Sequence, residues 1–174
     1  MARHGIANRA FPLVGPRLEQ SWMIVNATTF RAEILLPDLA AATALAARIA
    51  PLLIRGDAVA LWGELGAGKT TLARETLRAL GVSEDVPSPT FTLVQTYETP
   101  RLAVAHYDWY RLKAARELDE LGFGEALENG AVLVEWPQRA PEYLPDDTLH
   151  LRLSSEGEGR RVKITGPERW AVIA

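Results

Sequence analysis

DAVALWGELGAGKTTLAR, residues 57–74, runs from an apolar segment straight into a glycine-rich turn and then into a helix-forming segment. Gly63 to Thr70 fit G-x-x-x-x-G-K-[ST] at every required position, with a strand pattern before and a helix pattern after. The physics explains the residue types. Glycines such as Gly63, Gly66 and Gly68 let backbone N–H groups turn inward around phosphate oxygens, where a Cβ would collide. The helix N-terminus that follows adds about half a positive charge. Lys69 is in place to reach the β- and γ-phosphates, and the Thr70 hydroxyl to bind Mg²⁺, while Thr71 caps or lines the phosphate pocket.

Outward from this stretch, strands and helices alternate. Residues 21–37 hold two short β-rich pieces, the second closed by Pro37. Asp38 is an N-cap for the alanine-rich helix that follows, with Leu39, Ala42, Leu45, Ala46 and Ile49 on one stripe and Pro51 kinking or restarting it. The helix from about Lys69 turns Leu72, Thr76, Leu77 and Leu80 inward and ends at Gly81. VPSPT (86–90) is a rigid loop, and FTLVQTYE with LAVAHYDWY reads as a hairpin. Residues 114–130 are helical but broken at Gly122 and Gly124. AVLVEW (131–136) is a continuous apolar run, the pattern of a strand buried on both faces of a parallel sheet. TLHLRLS and RRVKITG form a last hairpin. The class is α/β, and residues 24–174 are expected to form a single domain.

A Mg²⁺–triphosphate site needs an acid at a neighbouring strand end. Glu135 ends the buried run and is the first choice for the metal, directly or through water. Asp108 ends LAVAHY and would then orient water or stand behind the metal acid. SPTFT (88–92) hands the hydroxyls of Ser88, Thr90 and Thr92 to one small region. It reads equally as a loop ordered by γ-phosphate and Mg²⁺ or as a plain turn into a strand.

Other features carry less. Asp119 to Gly122 spell D-x-x-G, but in a helical, charged stretch rather than after a buried strand. No N-K-x-D occurs, which argues against guanine specificity. His106 reads as a core or surface histidine ahead of a proton shuttle, and His4 and His150 carry no partner signal. Trp109, Tyr110 and Trp136 read as core packing ahead of adenine stacking or partner binding. The net charge of −3 is no footprint of an independent nucleic-acid binder. The absence of cysteine excludes disulfides and zinc–thiolate sites. No apolar run approaches the roughly 18–20 residues of a membrane span, so a cytosolic protein is expected. Residues 1–23 have arginines at positions 3, 9 and 17 and no acid before Glu19; they make a poor signal peptide and are expected to form a flexible extension.

GELGAGKTTLAR, SPTFTLVQTYE, HYDWYRL, ELDELGF and VLVEWPQRAPEYLP, in this order and spacing, resemble the bacterial TsaE (YjeE) family, a small ATPase of tRNA threonylcarbamoyladenosine synthesis. The likeness spans about residues 34–165. It implies a three-layer α/β P-loop domain, its mostly parallel central sheet extended by antiparallel hairpins. It implies ATP and Mg²⁺ as cofactors. Gly66, Ala67, Gly68, Lys69, Thr70 and Thr71 would hold phosphates, and Thr70 and Glu135 would bind Mg²⁺. Asp108 would lie at the nucleotide and Thr90 in a switch-like loop. The segment near Asp38 and an arginine of the last hairpin, Arg160 or Arg161, would also approach the nucleotide.

The resemblance further implies that the chain does not transfer the threonylcarbamoyl group. A partner pair, TsaB and TsaD, does so at adenosine 37 of tRNAs reading codons that start with A. The subunit would bind that pair and hydrolyse ATP to reset it, touching tRNA only indirectly, with no DNA or membrane involved. No arginine finger occupies a fixed place, so hydrolysis by the chain alone is expected to be slow. The partners would order SPTFT and complete the site. Position 109, commonly leucine in the family, and the N-terminal extension depart from the pattern; the resemblance takes Trp109 and Trp136 as exposed, against the core packing that the residues themselves favour. Two other readings compete: a small-molecule kinase, with Arg111 and Arg116 over the phosphates, and a non-catalytic module that binds nucleotide as a signal.

Overall fold

The computed structural model describes residues 29–174, so the expected extension at 1–23 and the first β-rich piece of 21–37 lie outside the described residues. The elements are β1 (Thr29–Leu36), α1 (Leu39–Ile49), β2 (Ala58–Trp62), α2 (Lys69–Ala79), β3 (Val94–Glu98) and β4 (Ala103–Asp108), then α3 (Glu117–Glu120), α4 (Phe123–Asn129), β5 (Gly130–Glu135), β6 (Leu149–Glu156) and β7 (Gly159–Pro167). The seven strands form one sheet in the order β1-β7-β6-β2-β5-β4-β3. Its centre, β6-β2-β5-β4, is parallel, while β7 with β1 on one flank and β3 on the other pair antiparallel.

The burial pattern follows from the layers. Every residue of β5 is buried, because helices cover both faces of that part of the sheet. Leu45, Ile49, Leu72 and Leu77 pack α1 and α2 against Leu61, Leu133 and Leu151 on one face. On the other face Trp109, Leu118 and Phe123 pack against Tyr107, Val132 and Val134. The outer part of that second face is uncovered: Arg31, Glu33, Arg152 and Lys163 are exposed along β1, β6 and β7. An antiparallel flank tolerates one wet face where buried parallel strands do not.

Local signals account for most of the helix ends. Asp38 caps α1, its Oδ1 accepting from the Ala41 N–H at 2.9 Å. Pro51 ends α1 at Ile49, and a single 3-10 turn takes over. Past α2, the Gly81 N–H donates to Arg78 O and the Val82 N–H to Leu77 O, the two bonds of a Schellman ending.

Four expectations are corrected. Leu39 opens α1 over a surface cavity and is 57% exposed, whereas Ala42, Leu45, Ala46 and Ile49 are buried as expected. Gly122, left-handed at φ +69°, separates α3 from α4, but Gly124 sits inside α4, where a solvent-facing glycine lowers helix stability by about 1 kcal/mol without ending it. Tyr110, read as core packing, is 54% exposed, whereas Trp109 is fully buried, as core packing and not exposure requires, with its ring 5.3 Å from that of Phe123 in an edge-on packing. Its side chain fills the core beneath α3 and α4, a burial of the kind that stabilises by about 2–3 kcal/mol. The D-x-x-G residues lie on α3 and its end, where Asp119 accepts from the Tyr143 hydroxyl.

Candidate functional site

β2 lies between β5 and β6, so the loop leaving it is flanked by the ends of both. That loop is the glycine-rich turn. Gly63 has φ +142°, and a Cβ there would lie 2.5 Å from the Leu153 carbonyl oxygen of β6, so only glycine fits. Ala67 is buried, and its N–H closes the turn onto Glu64 O at 3.1 Å. Gly68 precedes the first residue of α2 with no side-chain cap, which leaves the helix N-terminus to a ligand.

Lys69 lies inside this turn. Its Nζ donates to the carbonyl oxygens of Gly63 and Glu64, each at 2.8 Å, and sits 3.9 Å from the centroid of the Trp136 ring. Burial pushes the Lys69 ammonium below its usual range, and Glu135, Asp108 and Glu64 counter that effect by attraction.

The two acids meet across the sheet. Asp108 of β4 is in register with Glu135 of β5, and both are buried. Glu135 Oε2 accepts from the Thr70 hydroxyl at 2.9 Å. Asp108 Oδ2 accepts from the Thr90 hydroxyl at 2.7 Å, and Oδ1 from the Tyr110 N–H at 2.9 Å. The Ser88 and Thr90 hydroxyls lie 2.7 Å apart. Leu93, at φ +66°, ends this loop, its N–H donating to Pro89 O and its carbonyl accepting from the Asp108 N–H. The SPTFT loop is therefore fastened to Asp108 at two points. Ser88 and Thr90 converge there, whereas Thr92 is exposed and stands outside the cavity.

A cavity of about 230 Å³ is bounded by Lys69, Thr70, Thr90, Asp108, Glu135 and Trp136. A second, of about 220 Å³, adjoins it across Gly68 and Thr71 and is lined by Leu36, Asp38, Leu39 and Arg160. Arg160 is the hairpin arginine that reaches the loop, donating to Gly66 O at 3.1 Å. Arg161 instead pairs with Glu33 and Glu156. Arg111 lies over the exposed Phe91 ring, 4.4 Å from its centroid, and Arg116 precedes α3.

The arrangement suits a triphosphate with Mg²⁺. The Thr70 and Glu135 oxygens are hard donors set side by side at the helix N-terminus. Among the described residues no three or more His, Asp or Glu side chains form a metal cage. A small oxygen donor set completed by phosphates and water is how Mg²⁺ is usually held. His106, read as a core or surface histidine, is buried in the core, but its partner in the site is not legible in the sequence. Its Nε2 lies 2.9 Å from Glu135 Oε1. Alternation along β4 puts His106 on the face of Asp108, but its partner is fixed by the register with β5.

Residues 36–163 match the family described as Threonylcarbamoyl adenosine biosynthesis protein TsaE. The tRNA threonylcarbamoyladenosine biosynthesis protein TsaE of Rickettsia felis is 40% identical over 119 residues, covering 68% of this chain and 70% of that protein. The protein of the same name from Streptomyces coelicolor is 41% identical over 135 residues, covering 71% of this chain and 90% of that protein. The chain is also similar to the crystal structure of Bacillus subtilis YdiB, with a TM-score of 0.70 and 27% identity over 83% of this chain and 92% of the other. Among the described residues no helix is long and apolar enough to cross a membrane. The match runs from the end of β1 into β7 and takes in the glycine-rich turn, both acids and Arg160: the chain belongs to the TsaE family of tRNA threonylcarbamoyladenosine biosynthesis.

Proposed function

We propose that this chain is the cytoplasmic, Mg²⁺-dependent ATP-binding and hydrolysing subunit of tRNA threonylcarbamoyladenosine modification at position 37. On this reading it acts on the TsaB–TsaD complex and does not transfer the group itself. The observation that carries the reading is the Thr70–Glu135 hydrogen bond at the mouth of a complete P-loop. Bound ATP would supply the phosphoanhydride bond, and Mg²⁺ the charge that neutralises its β- and γ-oxygens.

The chain's own residues divide the work. Backbone N–H groups from Gly63 to Thr71 and the α2 N-terminus hold the phosphates. Lys69, now on the Gly63 and Glu64 carbonyls, would hold phosphate oxygens. Thr70 and Glu135 would hold the metal. Asp108, fastened to Thr90, orients water. The adjoining cavity, with Asp38 and Arg160, is the place for ribose and base. The SPTFT loop is open at Phe91, and partner binding over it is what completes the site.

The test is phosphate release with ATP and Mg²⁺, by the chain alone and with TsaB and TsaD, with no acceptor added. Slow release alone and faster release with the pair are expected, and Lys69→Ala should abolish both. Equal rates overturn the role of the partners. Nucleotide binding without ADP formation points to a signalling module, and transfer to a small-molecule acceptor to a kinase.

A further inference from the structure

Glu135 has a partner that the reading above leaves unused. His106 lies within β4 with no exposed surface. It is in register with Leu133, two residues before Glu135, and so shares the face of the sheet that carries both acids. Its Nε2 lies 2.9 Å from Glu135 Oε1, while its Nδ1 is buried with no hydrogen-bond partner. A carboxylate accepts only, so Nε2 carries the hydrogen. A hydrogen on Nδ1 would be a buried donor with nothing to receive it, so the surroundings fit the Nε2–H tautomer. The two oxygens of Glu135 are thus held from two sides, Oε1 by His106 and Oε2 by Thr70.

We propose that His106 is a positioning residue for the metal acid. By engaging Oε1 it fixes the Glu135 rotamer, so that Oε2 and the Thr70 hydroxyl face one point. A flexible glutamate at a strand end would otherwise sample several rotamers, each presenting its oxygens elsewhere. Partners of this kind behind a metal ligand typically change metal affinity about 10–100-fold. The role rests on the Mg²⁺ reading of the site. A histidine that merely fills the core would leave metal affinity alone.

Two readouts test it. In the metal- and nucleotide-free protein, long-range ¹⁵N NMR should show the Nε2–H tautomer of His106; an Nδ1–H tautomer overturns the proposal. The second readout is the Mg²⁺ concentration for half-maximal binding of a non-hydrolysable ATP analogue. His106→Leu should raise it about 10-fold and leave the weaker metal-free binding unchanged. His106→Gln, whose amide nitrogen takes the place of Nε2, should recover most of the loss. A folded His106→Leu with unchanged Mg²⁺ dependence overturns the proposal. If His106→Leu does not fold, His106→Gln is compared with His106→Asn, whose amide falls at the Nδ1 place. Equal Mg²⁺ dependence in that pair overturns the proposal; a weaker Asn variant supports it. A wild type whose nucleotide binding ignores Mg²⁺ overturns the reading of the site itself, a failure visible in that arm alone.

Discussion

The Arg160 guanidinium donates to the Gly66 carbonyl at 3.1 Å, joining the β6–β7 hairpin to the P-loop across 94 residues of sequence. A cation lining the second cavity and fixed against the P-loop backbone favours a nucleotide polyphosphate over a neutral ligand. Arg160→Ala should weaken ATP binding about 10-fold, the scale of one charge-assisted hydrogen bond. Arg161→Ala removes the partner of Glu33 and Glu156 and should leave the affinity unchanged. Calorimetric titration of both variants decides which arginine serves the site; the reverse result would exchange them.

Asp108 and Glu135 are neighbours across the sheet but have different donors, and their variants should differ in kind. Glu135→Ala should raise the Mg²⁺ requirement for nucleotide binding at least about 10-fold, as loss of a metal ligand or its close support does. Asp108→Asn should retain the metal dependence and lose turnover. Metal titration and phosphate release on the same samples separate the two effects. If metal dependence survives Glu135→Ala, the roles of the acids are exchanged.

Gly63 and Gly66 both have positive φ, yet only Gly63 faces backbone at close range. Gly63→Ala combines left-handed strain with a collision and should cost about 2–3 kcal/mol, against about 1–2 kcal/mol for Gly66→Ala. Urea denaturation of the two variants measures the difference. Equal losses would mean that the Leu153 carbonyl yields without cost.

His150 Nδ1 accepts from the Trp62 indole N–H at 3.1 Å, so the folded state holds it unprotonated. Burial, with the Arg152 guanidinium adding to it, lowers its pKa below the ordinary 6.5. The unfolded chain therefore binds the proton more readily, and stability rises with pH through the window below about 6.5. That contribution is present above about pH 6.5 and is lost as the pH falls through the lowered folded value. His150→Asn keeps an acceptor at the Nδ1 place and does not titrate. Melting temperatures at about pH 5 and about pH 7.5 should differ less in this variant than in the wild type. An unchanged difference would assign the pH dependence to other groups.

Much of this could be read from local pattern. The P-loop, the Asp38 cap, the Gly81 ending and the unbroken apolar run of β5 are set by neighbours in sequence. What stayed hidden depends on pairing between distant segments. Period-two alternation shows that His106 and Asp108 share a face, but not that the parallel register brings Glu135 beside them. Arg160 and Arg161 differ by one position, hence by one face of a strand, and the register of β7 decides between them. Local pattern favours core packing equally for Trp109 and Tyr110; α3 and α4 cover only Trp109, and that is decided in three dimensions.

The in-register placement of Asp108 and Glu135 also governs where the chain tolerates changes in length. Inserting or deleting one residue within β4 or β5 would send a carboxylate through the sheet to the side of α3 and α4. The turn from Thr99 to Leu102 enters β4 at the end opposite Asp108, so extra residues there shift neither acid. Across relatives and in engineered variants, length should drift freely at that end of the sheet and stay fixed at the other.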